Sequence, residues 1–201
     1  LWKMVAVQHK LPGYERIVAT AKNLFAQKGF HRTAMSELAC EASVSVGQIY
    51  RFFASKSDII LAIVSDDVNQ RMHRIDELGR QAKAGEISVE NALHDLVLQA
   101  LGEESEEALS FEILAEAHRD AVVAQKIAEM CNGYRASLRQ IALIANPRLN
   151  DIQLKAAEEL LLACLFGFGH HLLSGPCLSN KQIAENSAAM IIGAMRTPHL
   201  N

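Results

Sequence analysis

Apolar residues recur every three or four positions through most of this chain, the spacing of helices that bury one face. Ile17, Ala21, Leu24 and Phe25 make such a stripe within Tyr14–Lys28, with Lys22 and Lys28 outside it and Gly29 as the stop signal. Thr33 is expected to cap a short helix over Met35–Ala42, with Glu37 near the capping-box position and Leu38 and Ala39 facing inward. Ser43-Val44-Ser45 interrupts the pattern, and Ser45 can cap a second short helix from Val46 to about Phe53. Ser55 or Ser57 then opens a long helix through Ile59, Ile60, Ile63, Val64, Met72 and Ile75 to Gly79. Further helices are expected over Ser88–Leu101, Glu104–Arg119, Ala121–Ala145, Leu154–Ser174 and Asn180–Met195, followed by a frayed tail. Gly102, Asp120, Asn146-Pro147 and Gly175-Pro176 separate them. No strand-like alternation of useful length appears, so the expected fold is all-α with about nine helices.

Charge divides the chain in two. Residues 1–56 carry eight Lys/Arg against three acids, or +5, and residues 57–201 carry twelve against twenty, or −8, which together give the net −3. A basic first quarter on an acidic body implies that only the first quarter meets a polyanion. Leu160–Asn180 lacks Asp, Glu, Lys and Arg, but its apolar part is 14 residues long and holds His170 and His171. That is short of the roughly 20 apolar residues a membrane span needs, so a buried or interface helix is expected. The opening LWKMVAV is too short for a secretory signal, and no small-residue cleavage site follows it. Cys40, Cys131, Cys164 and Cys177 show no CxxC spacing, and the first three lie in apolar helical patterns, which reads as buried thiols in a reducing, cytoplasmic setting.

Only 5% of the residues are aromatic, yet Tyr50, Phe52 and Phe53 fall within four positions beside a turn. Two short helices joined by a tight turn, within a bundle of three, make a helix-turn-helix whose second helix enters the major groove of DNA. In VGQIYRFF, Ile49 and Phe53 are four apart and point inward with Phe52 near them. Val46, Gly47, Gln48 and Tyr50 remain for the groove. Gln48 can read adenine through two hydrogen bonds, a contact worth about 1–3 kcal/mol of discrimination. Lys56, Lys28 and Arg32 can add only sequence-blind attraction to phosphate, as can Lys3 and Lys10 in a leading arm. Arg51 fits either phosphate or solvent.

The run Gly29-Phe30, Thr33, Leu38-Ala39, Ala42-Ser43-Val44-Ser45-Val46-Gly47-Gln48-Ile49-Tyr50-Arg51-Phe52-Phe53-Ala54-Ser55-Lys56 resembles the TetR family of transcriptional regulators. The likeness covers Arg16 to about Ala62; the rest matches in length and helical content. It implies a DNA-binding domain over residues 1–56 and a ligand-binding and dimerisation domain over residues 57–201, in a regulator that binds a near-palindromic double-stranded operator as a homodimer and responds to a small molecule. By position, Thr33 and Lys56 would touch phosphates, and Ser45, Val46, Gly47, Gln48, Tyr50 and Arg51 would belong to the DNA surface. Two departures stand out: Ser43 where the family usually has Gly, which strains the turn, and Val46 where a polar residue is common.

In the acidic body, Leu154–Ser174 is apolar nearly all round, as expected of a helix with one face on its own domain and one on a partner. Gly167 and Gly169 would admit a close backbone. The resemblance implies that the last two helices form the dimer interface, with Leu161, Leu165, Phe168, Leu172, Met190 and Ile191 as candidates. Met72, Phe111, Leu114, His118, Met130, Tyr134 and Phe166 are candidate liners of a cavity for an apolar or aromatic ligand. No cofactor is expected, and no Ser-His-Asp or Cys-His set has local support. Two other classes stay open: a helical metal-dependent enzyme using Glu112, Glu116 and His118, and an adaptor bundle that does not read DNA. Neither the pattern nor the resemblance favours catalysis.

Overall fold

In a computed structural model, residues 12–102 and 104–197 are described. The leading arm with Lys3 and Lys10 and the tail beyond 197 lie outside these residues. Among the described residues the chain is all helix: α1 (Pro12–Lys28), α2 (Met35–Glu41), α3 (Val46–Phe52), α4 (Lys56–Ala84), α5 (Val89–Ala100), α6 (Glu104–Ala117), α7 (Ala121–Ala145), α8 (Asp151–Phe168), a short 3-10 turn at Leu172–Ser174, and α9 (Asn180–Arg196). None of these helices is long and apolar enough to cross a membrane.

The chain divides into two compact units. The first groups the residues up to Asp66 with Ala108–Lys126. Its core is the inward stripe of α1 (Ile17, Val18, Ala21, Leu24, Phe25), Leu38 and Ala39 of α2, Ile49 of α3, and Ile59, Ile60, Ile63 and Val64 of α4, all buried. Gly29 ends α1 in the left-handed region at φ 88°, and Phe30 folds back edge-on to Phe25 with ring centroids 5.2 Å apart. Between α2 and α3, Ser43 holds φ 51°. A side chain there crowds its own carbonyl, which is the strain anticipated from a serine at this turn.

The second unit groups Asp67–Glu107 with the residues from Ile127 on. Ile75 and Leu78 of α4, Leu93, Leu96 and Val97 of α5, Leu138 and Ile141 of α7, Leu154 and Leu161 of α8, and Ile191 and Ile192 of α9 share one core. Polar ties close its ends: Asn146 Nδ2 donates to Met195 O at 2.8 Å, and Asn180 Nδ2 donates to Leu101 O at 3.1 Å.

Three expectations need correction. α4 runs to Ala84, five residues past Gly79, because Gly79 lies flat against Ile141 and leaves the helix unbroken. α8 begins and ends earlier than Leu154–Ser174: Asn150 and Gln153 form a capping box at its start, and Gly169 caps its end, with the His171 ring turned back onto Phe168 O at 2.8 Å. Cys40 and Cys177 are exposed, and all four thiols are free. Cys40 lies one residue past the buried Leu38-Ala39 pair, on the outer side of α2. Burial pushes the Cys131 and Cys164 thiols above their ordinary pKa.

The strain at Ser43 generates a prediction. Ser43→Gly removes a left-handed penalty of about 1–2 kcal/mol and adds about 0.5–1 kcal/mol of backbone entropy cost. The variant is therefore expected to be more stable by about 0.5 kcal/mol in chemical denaturation; an equal or lower stability would show that the turn is relaxed as it stands.

Candidate nucleic-acid interface

Helix α3 has only seven residues, too few to persist unaided in water. Its start is fixed by a reciprocal pair: the Gln48 N–H donates to Ser45 Oγ at 3.1 Å, and the Ser45 N–H donates to Gln48 Oε1 at 2.7 Å. Its inner face is fixed by Ile49, fully buried, and by Phe53 just beyond its end. Tyr14 stacks on Phe53 at 5.1 Å and meets Phe52 edge-on at 6.0 Å. The aromatic cluster next to the turn is thus mostly an anchor. The outer face holds Ser45, Val46, Gly47, Gln48, Tyr50 and Arg51, all exposed. Val46 and Tyr50 are 36% and 54% exposed, so this face offers apolar contact as well as hydrogen-bonding groups.

The two residues expected at phosphates point inward instead. Thr33 is 1% exposed, and its hydroxyl donates to Gly29 O at 3.0 Å. It does not cap α2; Ala34 holds that position with no side-chain bond. Lys56, the first residue of α4, donates its ammonium protons to Phe30 O at 2.6 Å and Thr33 O at 2.9 Å, with His31 O at 3.4 Å. Its nitrogen lies 4.6 Å from the centroid of the Phe30 ring. Partial burial holds the Lys56 pKa below the usual lysine range, with Glu116 acting the other way. Lys56 is therefore a clip on the α1–α2 turn. Lys28 is bound to Glu37, which raises its pKa and lowers that of Glu37. Arg32 Nε donates to Lys28 O at 2.6 Å. Ser55 and Asp58 form the cap of α4, with the Asp58 N–H donating to Ser55 Oγ at 3.2 Å and the Ser55 N–H to Asp58 Oδ2 at 2.8 Å.

Two carboxylates of α6 meet the same turn, a role their sequence spacing did not reveal. Glu112 Oε2 accepts the Phe30 N–H at 2.7 Å, and Gly29 leaves room for it: a Cβ there would lie 3.3 Å from Glu112 Oε1. Glu116 is buried, with His31 Nε2 at 3.0 Å and Arg119 at 3.8 Å. His118 is exposed. Glu112 and Glu116 are thus occupied by the turn, and among the described residues no three His, Cys, Asp or Glu gather as metal ligands.

The candidates for ligand and partner contact are dispersed. Phe111, Leu114 and His118 lie in the first unit; Met72, Met130, Tyr134 and Phe166 lie in the second. Phe111 and Phe166 are exposed and belong to the surface. Met72, Met130 and Tyr134 are half-buried. The Met72 sulfur sits 2.9 Å from where a Cβ on Gly133 would stand, and burial pushes the Tyr134 pKa up to about 12. A surface hollow of about 430 Å³ opens elsewhere, among Ala145–Leu149, Gln153, Arg196 and Thr197. Of the interface candidates, Leu161 and Ile191 are core residues, because they share the inward phase of Leu154, Ala157 and Ile192. Leu165, Phe168 and Leu172 are half-buried, and Met190 is exposed. The outward phase of α8 is instead Ile152, Ala156, Leu160, Ala163 and Gly167.

Comparison with known proteins locates these features. Residues 17–63 match the family model described as bacterial regulatory proteins, tetR family. The fatty acid metabolism regulator protein of Bacillus subtilis is 31% identical over 71 residues, 35% of this chain and 37% of that protein. The transcriptional regulator UidR of Escherichia coli is 31% identical over 113 residues, 56% of each chain. The chain thus spans between 37% and 56% of the length of these curated relatives. A solved structure of the transcriptional regulator FadR from Bacillus subtilis with stearoyl-CoA superimposes with a TM-score of 0.72 at 17% identity, covering 89% of this chain and 97% of that one. At that identity the likeness establishes the fold alone.

If Lys56 is a clip, Lys56→Met, which keeps the stem over Phe30, is expected to cost about 1–3 kcal/mol of stability and to leave the salt dependence of DNA binding unchanged. A salt slope flattened by about one charge, with stability intact, would return Lys56 to the phosphates.

Proposed function

We propose that this chain, a member of the TetR family of bacterial regulatory proteins, is a ligand-responsive DNA-binding transcriptional regulator, acting in the cytoplasm as a repressor on a palindromic operator. The observation that carries the reading is the division of α3. Ile49 and Phe53 root the helix in the core, while Val46, Gly47 and Tyr50 stand in solvent and Gln48, also exposed, bonds to Ser45 at the start of the same helix. Val46 and Tyr50, four apart on that face, add apolar contact beside hydrogen-bonding groups, as a surface that reads base edges needs. The +5 charge of residues 1–56 suits that surface to DNA. Enzymatic and adaptor readings lack an equivalent: Glu112 and Glu116 serve the α1–α2 turn, and an adaptor has no use for a basic reading head.

The functional division is that residues 1–56 read DNA and residues 57–201 bind the ligand and the second copy. Support for pairing comes from α8 and α9. Ile152, Ala156, Leu160, Ala163 and Gly167 make one continuous outward apolar stripe, and Met190, 72% exposed, faces out beside Ala189 and Gly193 on α9. Small residues between large ones suit helices that cross closely. A twofold pair would present two α3 helices about 34–36 Å apart, one turn of DNA. The ligand site is assigned to the surroundings of Met72, Met130 and Tyr134, where a thioether, a second methionine and a neutral phenol suit an apolar or aromatic compound. FadR, crystallised with stearoyl-CoA, is one protein of this architecture that takes an apolar chain.

Signal transfer follows from the turn. Lys56 opens α4 and holds the carbonyls of Phe30 and Thr33; Glu112 of α6 holds the Phe30 N–H. A ligand-driven shift of α4 or α6 would pull the α1–α2 turn and with it the reading head. A coupling of about 1–3 kcal/mol suffices for a useful switch.

The full chain mixed with duplex DNA from upstream of its own gene should give a salt-sensitive retarded band. Tyr50→Glu, at an exposed site, should leave the melting temperature unchanged and weaken that band at least about tenfold, the loss of one good contact plus a repelled charge. Absence of any retarded species with that duplex and with a random pool would refute the reading. Leu160→Glu on the outward stripe should convert a dimer to a monomer in sedimentation and lower operator affinity in parallel; a dimer that survives it would place the interface elsewhere.

A further inference from the structure

The DNA-reading role of α3 proposed above leaves open what Gln48 recognises, and the capping geometry decides it. Sequence alone pairs glutamine with adenine, because one side-chain amide can accept from adenine N6 and donate to adenine N7. That contact needs both Oε1 and Nε2 aimed outward together. Here Oε1 is turned back to the start of its own helix, 2.7 Å from the Ser45 backbone nitrogen, while the Gln48 N–H reaches Ser45 Oγ at 3.1 Å. The amide is planar with its oxygen and nitrogen about 120° apart on one carbon, so an oxygen held at the helix start leaves the nitrogen as the group available to the groove. The reverse orientation is refused: it would set the two Nε2 protons against the Ser45 N–H, donor against donor.

We infer that Gln48 reads DNA as a donor only, through Nε2, and that it selects guanine rather than adenine. Guanine offers two adjacent acceptors in the major groove, N7 and O6, and no amino group. Adenine offers N7 beside an N6 amino group that would face the Gln48 donor without an acceptor to meet it. Rotating Gln48 outward to pair both atoms with adenine would release the capping box, and α3, seven residues long, has no spare turn to absorb that loss. Ser45 therefore acts as a positioning residue: it fixes which end of Gln48 faces the groove.

The test selects bound duplexes from a random pool with the full-length wild type, Gln48→Glu and Gln48→Ala, and measures melting temperatures alongside. The position whose preference changes in the variants is the one Gln48 reads. In the wild type it should favour guanine over adenine about tenfold. Gln48→Glu keeps the acceptor that closes the box and removes the donor, so its melting temperature should stay near wild type while that position shifts to cytosine, whose N4 amino group donates. Gln48→Ala should lose both the preference there and some melting temperature. Adenine or thymine at that position in the wild type overturns the inference and leaves DNA reading intact, as do Gln48 variants that change no position. A wild-type selection that enriches no motif overturns the inference together with the proposed function.

Discussion

A seven-residue helix cannot hold itself together, and most of the first unit is arranged around that constraint. Nucleating one turn costs more backbone entropy than its few hydrogen bonds return, so α3 persists only through what is attached to it. Ser45 and Gln48 close its amino end, Ile49 buries its inner face, and Phe53 with Tyr14 closes its carboxyl end. With three constraints taken by the interior and the cap, the backbone that carries the outward residues is held at both ends. In a helix this short, the backbone cannot shift without releasing a cap or an anchor.

The α1–α2 turn carries a second set of obligations. Helix ends leave carbonyls and N–H groups without partners, and here the partners come from far along the chain. Lys56 takes the carbonyls of Phe30 and Thr33, and Glu112, 82 residues beyond Phe30, takes its N–H. A cation on the carbonyls and a carboxylate on the N–H each match the local dipole. The same bonds that complete the turn also join the start of α4 and the middle of α6 to the helices that hold α3, so the turn and the placement of these helices rest on one set of contacts.

These two sites explain what the sequence disclosed and what it hid. The elements were legible wherever periodicity and caps coincide: the stripe of α1, the Ser45 cap, and the inward Ile49 and Phe53 all follow from local spacing, while the strain at Ser43 follows from the family resemblance. The roles of Thr33 and Lys56 were not, because each is decided by a partner outside its own helix. Nothing near residue 56 announces that three carbonyls wait 23 to 26 residues upstream. The helix face of α8 failed for another reason. With apolar residues nearly all round, periodicity cannot say which phase is inward, and Leu161 and Leu160, one step of 100° apart, exchange roles between core and surface. Glu112 and Glu116 were visible as a pair on one face, but a pair of carboxylates has several possible uses, and only the fold brings Phe30 and His31 to them.

The acidic body and basic head also make physical sense together. On the proposed function, the +5 of residues 1–56 is attracted to a duplex and the −8 of residues 57–201 is repelled by it, so the first quarter of the chain carries the attraction. The net charge of −3 limits non-specific adhesion of the whole molecule, while the short-range attraction at the head survives within a Debye length of about 8–10 Å. With Lys28 tied to Glu37 and Lys56 tied to carbonyls, two of the eight cations of residues 1–56 already have partners within the fold. On the proposed function, the cations still open to phosphate share the affinity with contacts to bases, and a donor fixed in place by its own helix cap suits the second task.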